Sequence, residues 1–234
     1  MQPVPKPGIV VTIDGPAGAG KSSVARMLAE RLNFDFLDTG AMYRCVTLAV
    51  LRSGASLSNV QSVSKLAAEL VIDMDGSTVL LNGEDVSEEI RTPKVASSIG
   101  MVADNVDVRK LLSHLQRTWS AGRHVVTEGR DQGSEVFYDS PCKFFLVANS
   151  HERARRRMAE LSERGIELDF ETVLMQQDRR DHEDCSRAVG ALRKAEDAIE
   201  VCTDGRSLEQ VVDELQQIVQ QRLSLSPTDR KATS

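Results

Sequence analysis

Gly15, Gly20, Lys21 and Ser22 stand at the spacing G-x-x-x-x-G-K-[ST] within the run Gly15-Pro16-Ala17-Gly18-Ala19-Gly20-Lys21-Ser22. The chemistry of such a run is phosphate binding. Its glycines let the backbone curl until successive N–H groups point inward at phosphate oxygens, and a helix starting at its end adds the positive end of its dipole. Lys21 is then expected to reach the β and γ phosphates of a nucleotide, and the Ser22 hydroxyl to meet Mg2+. The loop identifies only the phosphate donor, because kinases, GTPases and motor ATPases share it.

Two further clusters could hold what receives the phosphate. Asp38-Thr39-Gly40-Ala41-Met42-Tyr43-Arg44 follows the apolar run FDFL, and Glu128-Gly129-Arg130-Asp131 follows HVVT. Each places an arginine near the end of an expected strand, and the planar fork of arginine matches phosphate oxygens better than the point charge of lysine. Arg153, Arg155, Arg156 and Arg157 form a charge run that, on composition alone, reads as a solvated helix face. Arg153 and Arg157 share one side of that helix. The mixed cluster from Arg179 to Arg187 favours a functional role over the alternative of surface ion pairs, which are worth little. His182 reads as an exposed helix residue, and Trp119 as packing.

The elements that must carry these residues follow from periodicity. Ile9 to Ile13 is an apolar, β-branched run of strand length ending in Asp14-Gly15. Val24, Leu28 and Leu32 recur at helical spacing after the loop. Phe34 to Leu37 predicts a second strand, and Ala41 to Arg52 a helix stopping near Gly54. Val71 to Leu81 alternates around Asp75-Gly76, a hairpin signal and hence a small β insert. Pro93 to Ala121 predicts two helical segments, and Arg123 to Thr127 and Lys143 to Ala148 two strands. Ser150 to Arg164 and Phe170 to His182 predict charged helices. Ile199 to Thr203 predicts a last strand and Leu208 to Leu223 a closing helix. Strands alternating with helices imply a parallel sheet covered by helices on both faces, with ligands at the C-terminal strand ends.

Composition narrows the classes. The 234 residues, 41% hydrophobic and 27% charged, suit one globular domain, and a 4% aromatic content makes its core aliphatic. A formal net charge of -6 argues against a nucleic-acid polymer as partner. Cys45, Cys142, Cys185 and Cys202 form no C-x-x-C pair, so neither zinc nor a disulfide framework is expected. No run approaches a membrane span and the N-terminus lacks an apolar signal core, so a cytoplasmic protein is expected.

Taken in order, GPAGAGKSS, LDTGAMYR, IRTP, VR, EGRDQGSEVF, ERARRRMAEL and RDHEDCSRA resemble the bacterial cytidylate kinase family from about Val10 to Val219. The resemblance implies an α/β fold of the P-loop NTPase type, with a small β-containing insert in the nucleoside monophosphate (NMP) region and a helical lid. It implies a flexible lead over 1–8, one kinase domain over 9–223 and a flexible tail over 224–234. Within the domain the NMP region would span about 38–105 and the lid about 150–187. The implied activity is transfer of the γ-phosphoryl group of ATP to CMP or dCMP by a monomeric nucleoside monophosphate phosphotransferase.

By the same resemblance, Gly15, Pro16, Ala17, Gly18, Ala19, Gly20, Lys21, Ser22 and Ser23 hold ATP, with Mg2+ at Ser22 and, through water, at Glu128. Thr39, Arg44, Arg130 and Arg187 hold the acceptor phosphate, with Asp38, Gly40 and Tyr43 beside them. Arg180 and Asp184 contact the sugar, and Arg109 and Asp131 read cytosine, whose exocyclic amine a carboxylate can accept. Lys21, Arg130, Arg187 and the lid arginines Arg153 and Arg157 supply cationic charge to the reaction. The chain departs from the family pattern where a base-contacting serine aligns with Gly100. It departs again at Glu128 for an aspartate, at Gly190-Ala191-Leu192 for A-P-L, and at Cys202 for an aspartate. Kinases for UMP, AMP or a small hydroxylated metabolite remain alternatives, as does an ATPase switch, although no N-K-x-D motif is present.

Overall fold

A computed structural model describes residues 8–76, 78–163 and 165–223. The lead expected over 1–8, apart from Gly8, and the tail over 224–234 lie outside the described residues. Contacts divide the chain into two compact units: residues up to Phe36 with those from Gly122 onward, and Leu37–Ala121 between them.

The first unit begins with β1, Val10–Asp14, followed after the glycine-rich loop by α1, Lys21–Leu32. A strand β2, Asp35–Asp38, leads out of it into the second unit. The second unit then contains α2 (Thr39–Ser53), α3 (Val60–Ala68), β3 (Ile72–Asp75), β4 (Thr78–Leu81) and β5 (Glu84–Asp85). A short 3-10 turn, Glu89–Arg91, precedes α4 (Pro93–Ala103) and α5 (Val106–Ser120). The chain returns to the first unit with β6 (Val125–Gly129), a π-helical turn Gln132–Val136, and β7 (Cys142–Val147). It closes with α6 (Ser150–Ser162), α7 (Phe170–Ser186), β8 (Ile199–Cys202) and α8 (Leu208–Leu223).

The main sheet has the order β2-β6-β1-β7-β8, and β1 pairs in parallel with both β6 and β7. Asp14 lies opposite Gly129 on one side and Phe145 on the other, so the loops leaving β1 and β6 emerge side by side. β-Branched Val11, Thr12 and Ile13 suit this doubly covered position and are fully buried. The stripe Val24, Ala25, Leu28, Ala29 and Leu32 of α1 packs with Val211, Val212, Leu215 and Val219 of α8 in one aliphatic core with the strands. Asn33 ends α1 in the left-handed region, its N–H turned back on the carbonyls of Ala29 and Glu30.

In the second unit, Asp38 caps α2 by accepting from the Ala41 N–H, and Gly54 ends that helix at φ 71°. The hairpin expected around Asp75-Gly76 is present, with Asp75 opposite Thr78. A third strand, β5, extends it into a sheet of order β3-β4-β5 that packs on Ala41, Cys45 and Leu48 of α2. Sequence periodicity did not predict α3. Asn59 starts it by accepting from the Ser62 N–H, and only Val63 and Ala67 are buried, too few to stand out as a stripe. Asn105 fixes α3 to α5: it caps α5 and donates to Val60 O and Ser64 Oγ.

Candidate active site

The loop between β1 and α1 is shaped by contacts that exclude side chains. A β-carbon on Gly15 would lie 2.2 Å from the Leu146 carbonyl oxygen of β7. Gly20, at φ 86°, takes the N-cap position of α1 with no side-chain cap, so the first-turn N–H groups have no capping side chain and suit an anion. Lys21 is buried, and its Nζ crosses the loop to donate to Pro16 O at 2.7 Å. Burial pushes the ammonium down to about 7; Arg130 and Arg180 lower it further, while Glu128 and Asp14 oppose the shift. An anionic ligand would restore the charge that burial disfavours.

Behind the loop, the Ser22 hydroxyl donates to Glu128 Oε1 at 3.1 Å. These two hard oxygen donors suit Mg2+, which keeps several waters and binds through one or two protein groups plus phosphates. Among the described residues no cluster of three or more His, Cys, Asp and Glu forms a metal cage by itself. The donor set therefore fits a cation that arrives with a nucleotide. Asp14 accepts from the backbone N–H groups of Gln132 at 2.9 Å and Gly133 at 2.7 Å. Asp131 is buried at the start of the π-helical turn, and its carbonyl accepts from Glu135 and Val136.

A cationic cluster lies in the same unit. Asp184 bridges two arginines, with Arg130 Nε at 2.7 Å and Arg187 Nη1 at 2.6 Å. Burial alone would raise the Asp184 carboxyl, yet Arg130 and Arg187 hold it below its ordinary range. Arg180 acts electrostatically on both Lys21 and Asp184. Asp184 is thus shared by two guanidiniums, and Glu128 and Asp181 also act on Arg130, so the arginine forks are held in place by carboxylates, a geometry suited to phosphate.

The helices α6 and α7 reach the same loop. Arg153 is buried, donating to Ala17 O at 3.0 Å and to Asp181 at 2.6 Å, and its Nε donates to Ala148 O. Gln177 also donates to Ala17 O at 3.0 Å. Arg157 is half-exposed and pairs with Glu160 at 2.9 Å, sharing none of the bonds that Arg153 makes. Arg156, by contrast, donates to Thr203 Oγ1 and O, and Thr203 Oγ1 donates to Ala19 O. Gln177 and Thr203 bond to the loop, Arg156 to Thr203, and Asp14 to the turn after β6, contacts that sequence reasoning did not anticipate. Thr203 could have been flagged by its place just beyond the C-terminal end of β8, and Gln177 by standing one turn before Asp181.

In the second unit, two arginines approach Asp38. Arg44 lies 3.9 Å and Arg91 3.7 Å from its carboxylate oxygens. A β-carbon on Gly40 would sit 3.3 Å from both the Arg44 guanidinium and Asp38, so the absence of a side chain makes room for them. Thr39 is buried at the first position of α2. Arg109, also buried, donates to Ala103 O at 3.0 Å and lies over the Tyr43 ring at 5.5 Å. Gly100, on α4, faces open space: a β-carbon there meets nothing within 4 Å.

The family model for cytidylate kinase matches residues 11–221, which includes every residue named above from Asp14 to Thr203. The chain belongs to the cytidylate kinase family. A cytidylate kinase from Rhodopirellula baltica is 47% identical over 218 residues, covering 93% of this chain and 95% of the relative. A second, from Carboxydothermus hydrogenoformans, is 45% identical over 213 residues, covering 89% and 96%. A solved structure of an uncharacterized protein from Eubacterium ventriosum covers 92% of this chain and 99% of its own at a TM-score of 0.50. With 13% identity, that likeness is one of fold.

In this member of the cytidylate kinase family the predicted residues fall into two groups. The first unit brings together the Gly15–Ser22 loop, Glu128, Arg130, Arg180, Asp184 and Arg187, with Arg153 seated on the loop. The second holds Asp38, Thr39, Gly40, Tyr43, Arg44 and Arg109. Among the described residues, no helix is long and apolar enough to cross a membrane.

Proposed function

We propose that this protein transfers the γ-phosphoryl group of ATP to CMP or dCMP, giving ADP and CDP or dCDP. The observation that carries this reading is the cluster of Arg130, Arg180 and Arg187 around Asp184, with Arg130 and Arg180 acting on Lys21 of a loop shaped for nucleotide phosphates. A nucleotide switch needs the loop; a second arginine cluster suits an anionic acceptor.

The chemistry asks little of a general base. The acceptor phosphate monoester has a second pKa of about 6, so at neutral pH it is mostly the nucleophilic dianion. One of its oxygens forms the new bond to the γ-phosphorus as the bond to the β-γ bridging oxygen breaks, and the electron pair leaves on ADP. Lys21, Arg130 and Arg187 stabilise the charge spread over the transferring group. Ser22 and Glu128 would hold Mg2+, which when bound offsets phosphate charge and polarises the phosphoryl oxygens.

In this reading the NMP region with its β insert spans about 38–105, inside the compact unit Leu37–Ala121, and the lid about 150–187, which holds α6 and α7, within one kinase domain over 9–223. Thr39, Arg44, Arg130 and Arg187 take the acceptor phosphate, Arg180 and Asp184 the sugar, and Arg109 and Asp131 the cytosine. Arg153 shapes the loop that holds ATP, and Arg157 joins it when the lid closes, excluding water that would hydrolyse ATP. The reading extends to a monomer working in the cytoplasm.

The test is ADP formation from Mg-ATP with CMP, dCMP, UMP, AMP, GMP or no acceptor. Turnover confined to CMP and dCMP is expected. Preferred use of UMP or AMP would overturn the base assignment, and ADP formation indifferent to every acceptor would overturn the kinase reading itself.

A further inference from the structure

We propose that Asp14 is a positioning residue: from the end of β1 its carboxylate holds the turn that carries Arg130 and Asp131. The inference rests on the acceptor role given to those two residues above. It adds a residue that neither the phosphate-loop motif nor any role assigned above includes.

The geometry is specific. Both carboxylate oxygens are used: Oδ1 accepts from the Gln132 N–H at 2.9 Å and Oδ2 from the Gly133 N–H at 2.7 Å. Gln132 and Gly133 open the π-helical turn, so their N–H groups are among those a helical turn leaves unpaired at its start. Asp14 supplies the cap from a strand more than a hundred residues earlier in the chain. It is 3% exposed, so water cannot replace it. Burial pushes its carboxyl up to about 7 against the pull of these two backbone donors, so the contact is kept at an electrostatic cost.

The turn also packs tightly against the side chains of β1 and β7. A β-carbon on Gly133 would lie 2.8 Å from Thr12 Oγ1, 3.2 Å from Lys143 Cδ and 3.4 Å from Asp14 Oδ2. Gln132 is fixed further by the Thr127 hydroxyl, which donates to its Oε1 at 3.0 Å. Residues 130 and 131 therefore lie between Gly129, locked in β6, and a pair of amides locked on β1. Because Asp14 immediately precedes Gly15, the same residue sets the phosphate loop's origin and the neighbouring turn, which keeps donor and acceptor residues in register.

Asp14→Asn keeps the shape but offers one acceptor where two are needed, and turns an N–H toward an N–H. In the full-length variant, amide hydrogen exchange at Gln132 and Gly133 is expected to speed up by about tenfold or more, with the phosphate-loop amides unchanged. KM for CMP should rise by about tenfold and the preference for CMP over UMP should fall, while KM for ATP moves less than about threefold. A purely structural loss of folded protein would lower kcat and leave those ratios alone. Unaltered exchange at 132 and 133 would overturn the proposal, as would equal increases in both KM values with an unchanged base preference. Gly133→Ala, which disturbs the turn while Asp14 stays intact, gives the same signature and serves if Asp14→Asn does not fold. If the unsubstituted protein does not use CMP, the functional reading fails, and the exchange measurement alone decides for or against Asp14.

Discussion

Arg130 and Asp184 meet at 2.7 Å although 54 residues separate them, one just beyond the end of β6 and the other near the end of α7. The pair joins the strand that carries Glu128 to the helix that carries Arg180 and is followed by Arg187. Its carboxylate is almost wholly buried and shared with Arg187, so two guanidiniums are placed by one group. Cations gathered this closely repel one another, and Asp184 is what allows them to be gathered before an anionic ligand arrives.

Removing that group should be costly. Asp184→Ala leaves two largely buried guanidiniums without their common partner, and a loss of about 3–5 kcal/mol is expected by urea unfolding. The pH dependence has a definite sign. A carboxyl held below its ordinary 3.8 contributes stability that is full above that value and lost as pH falls through the folded-state value. The unsubstituted protein should therefore lose stability below about pH 4 more steeply than Asp184→Asn does.

Lys21 should take up a proton when a nucleotide binds. Its amine is pushed down to about 7 chiefly by burial, so at pH 8 most of the ligand-free protein carries it neutral. Phosphate oxygens beside it raise that value, so ADP binding at pH 8 should be accompanied by a net uptake of up to one proton. Calorimetry in buffers of different ionisation heat measures this number directly. Lys21→Met should lose most of the uptake, and Lys21→Ala should depress turnover with every acceptor alike by about a hundredfold or more.

Gly100→Ser should be accommodated. A β-carbon at this helical position meets nothing within 4 Å, and serine is a better helix former than glycine, so stability should rise by about 0.5 kcal/mol. Restoring the hydroxyl expected from the family pattern should also lower KM for CMP severalfold, with KM for ATP unchanged. Steady-state kinetics with both substrates varied checks both halves.

Asp131→Ala should reduce kcat/KM for CMP by at least about tenfold more than for UMP, because the carboxylate pairs only with the exocyclic amine of cytosine. Competition between the two acceptors in one reaction reads the ratio without knowledge of the active fraction. Equal losses for both bases would remove the carboxylate from base recognition.

Much of this was legible in the residues. The loop from Gly15 to Ser22 announces itself because phosphate binding by backbone N–H groups demands glycine at set positions, and neighbouring residues suffice to supply it. The strands and long helices were legible for a similar reason: burial of one face imposes a local period on Val, Leu and Ile. The hairpin at Asp75-Gly76 followed from turn chemistry. By contrast α3, with only Val63 and Ala67 buried, and β5, two residues long, leave almost no period to read.

Side-chain partners were decided by the tertiary structure. Arg153 and Arg157 share a helix face in sequence, yet Arg153 is buried on Ala17 and Asp181 while half-exposed Arg157 turns to Glu160. The cluster from Arg179 to Arg187 admits a surface ion-pair reading in sequence, and it is the fold that buries Asp184 against Arg130. Asp14 looks like half of a turn dipeptide, and only the parallel pairing of β1 with β6 brings it to Gln132 and Gly133. Motifs whose function depends on backbone conformation over a few residues are written locally. Ion pairs and caps between distant segments depend on the register of strands and the packing of helices, which no local run of residues encodes.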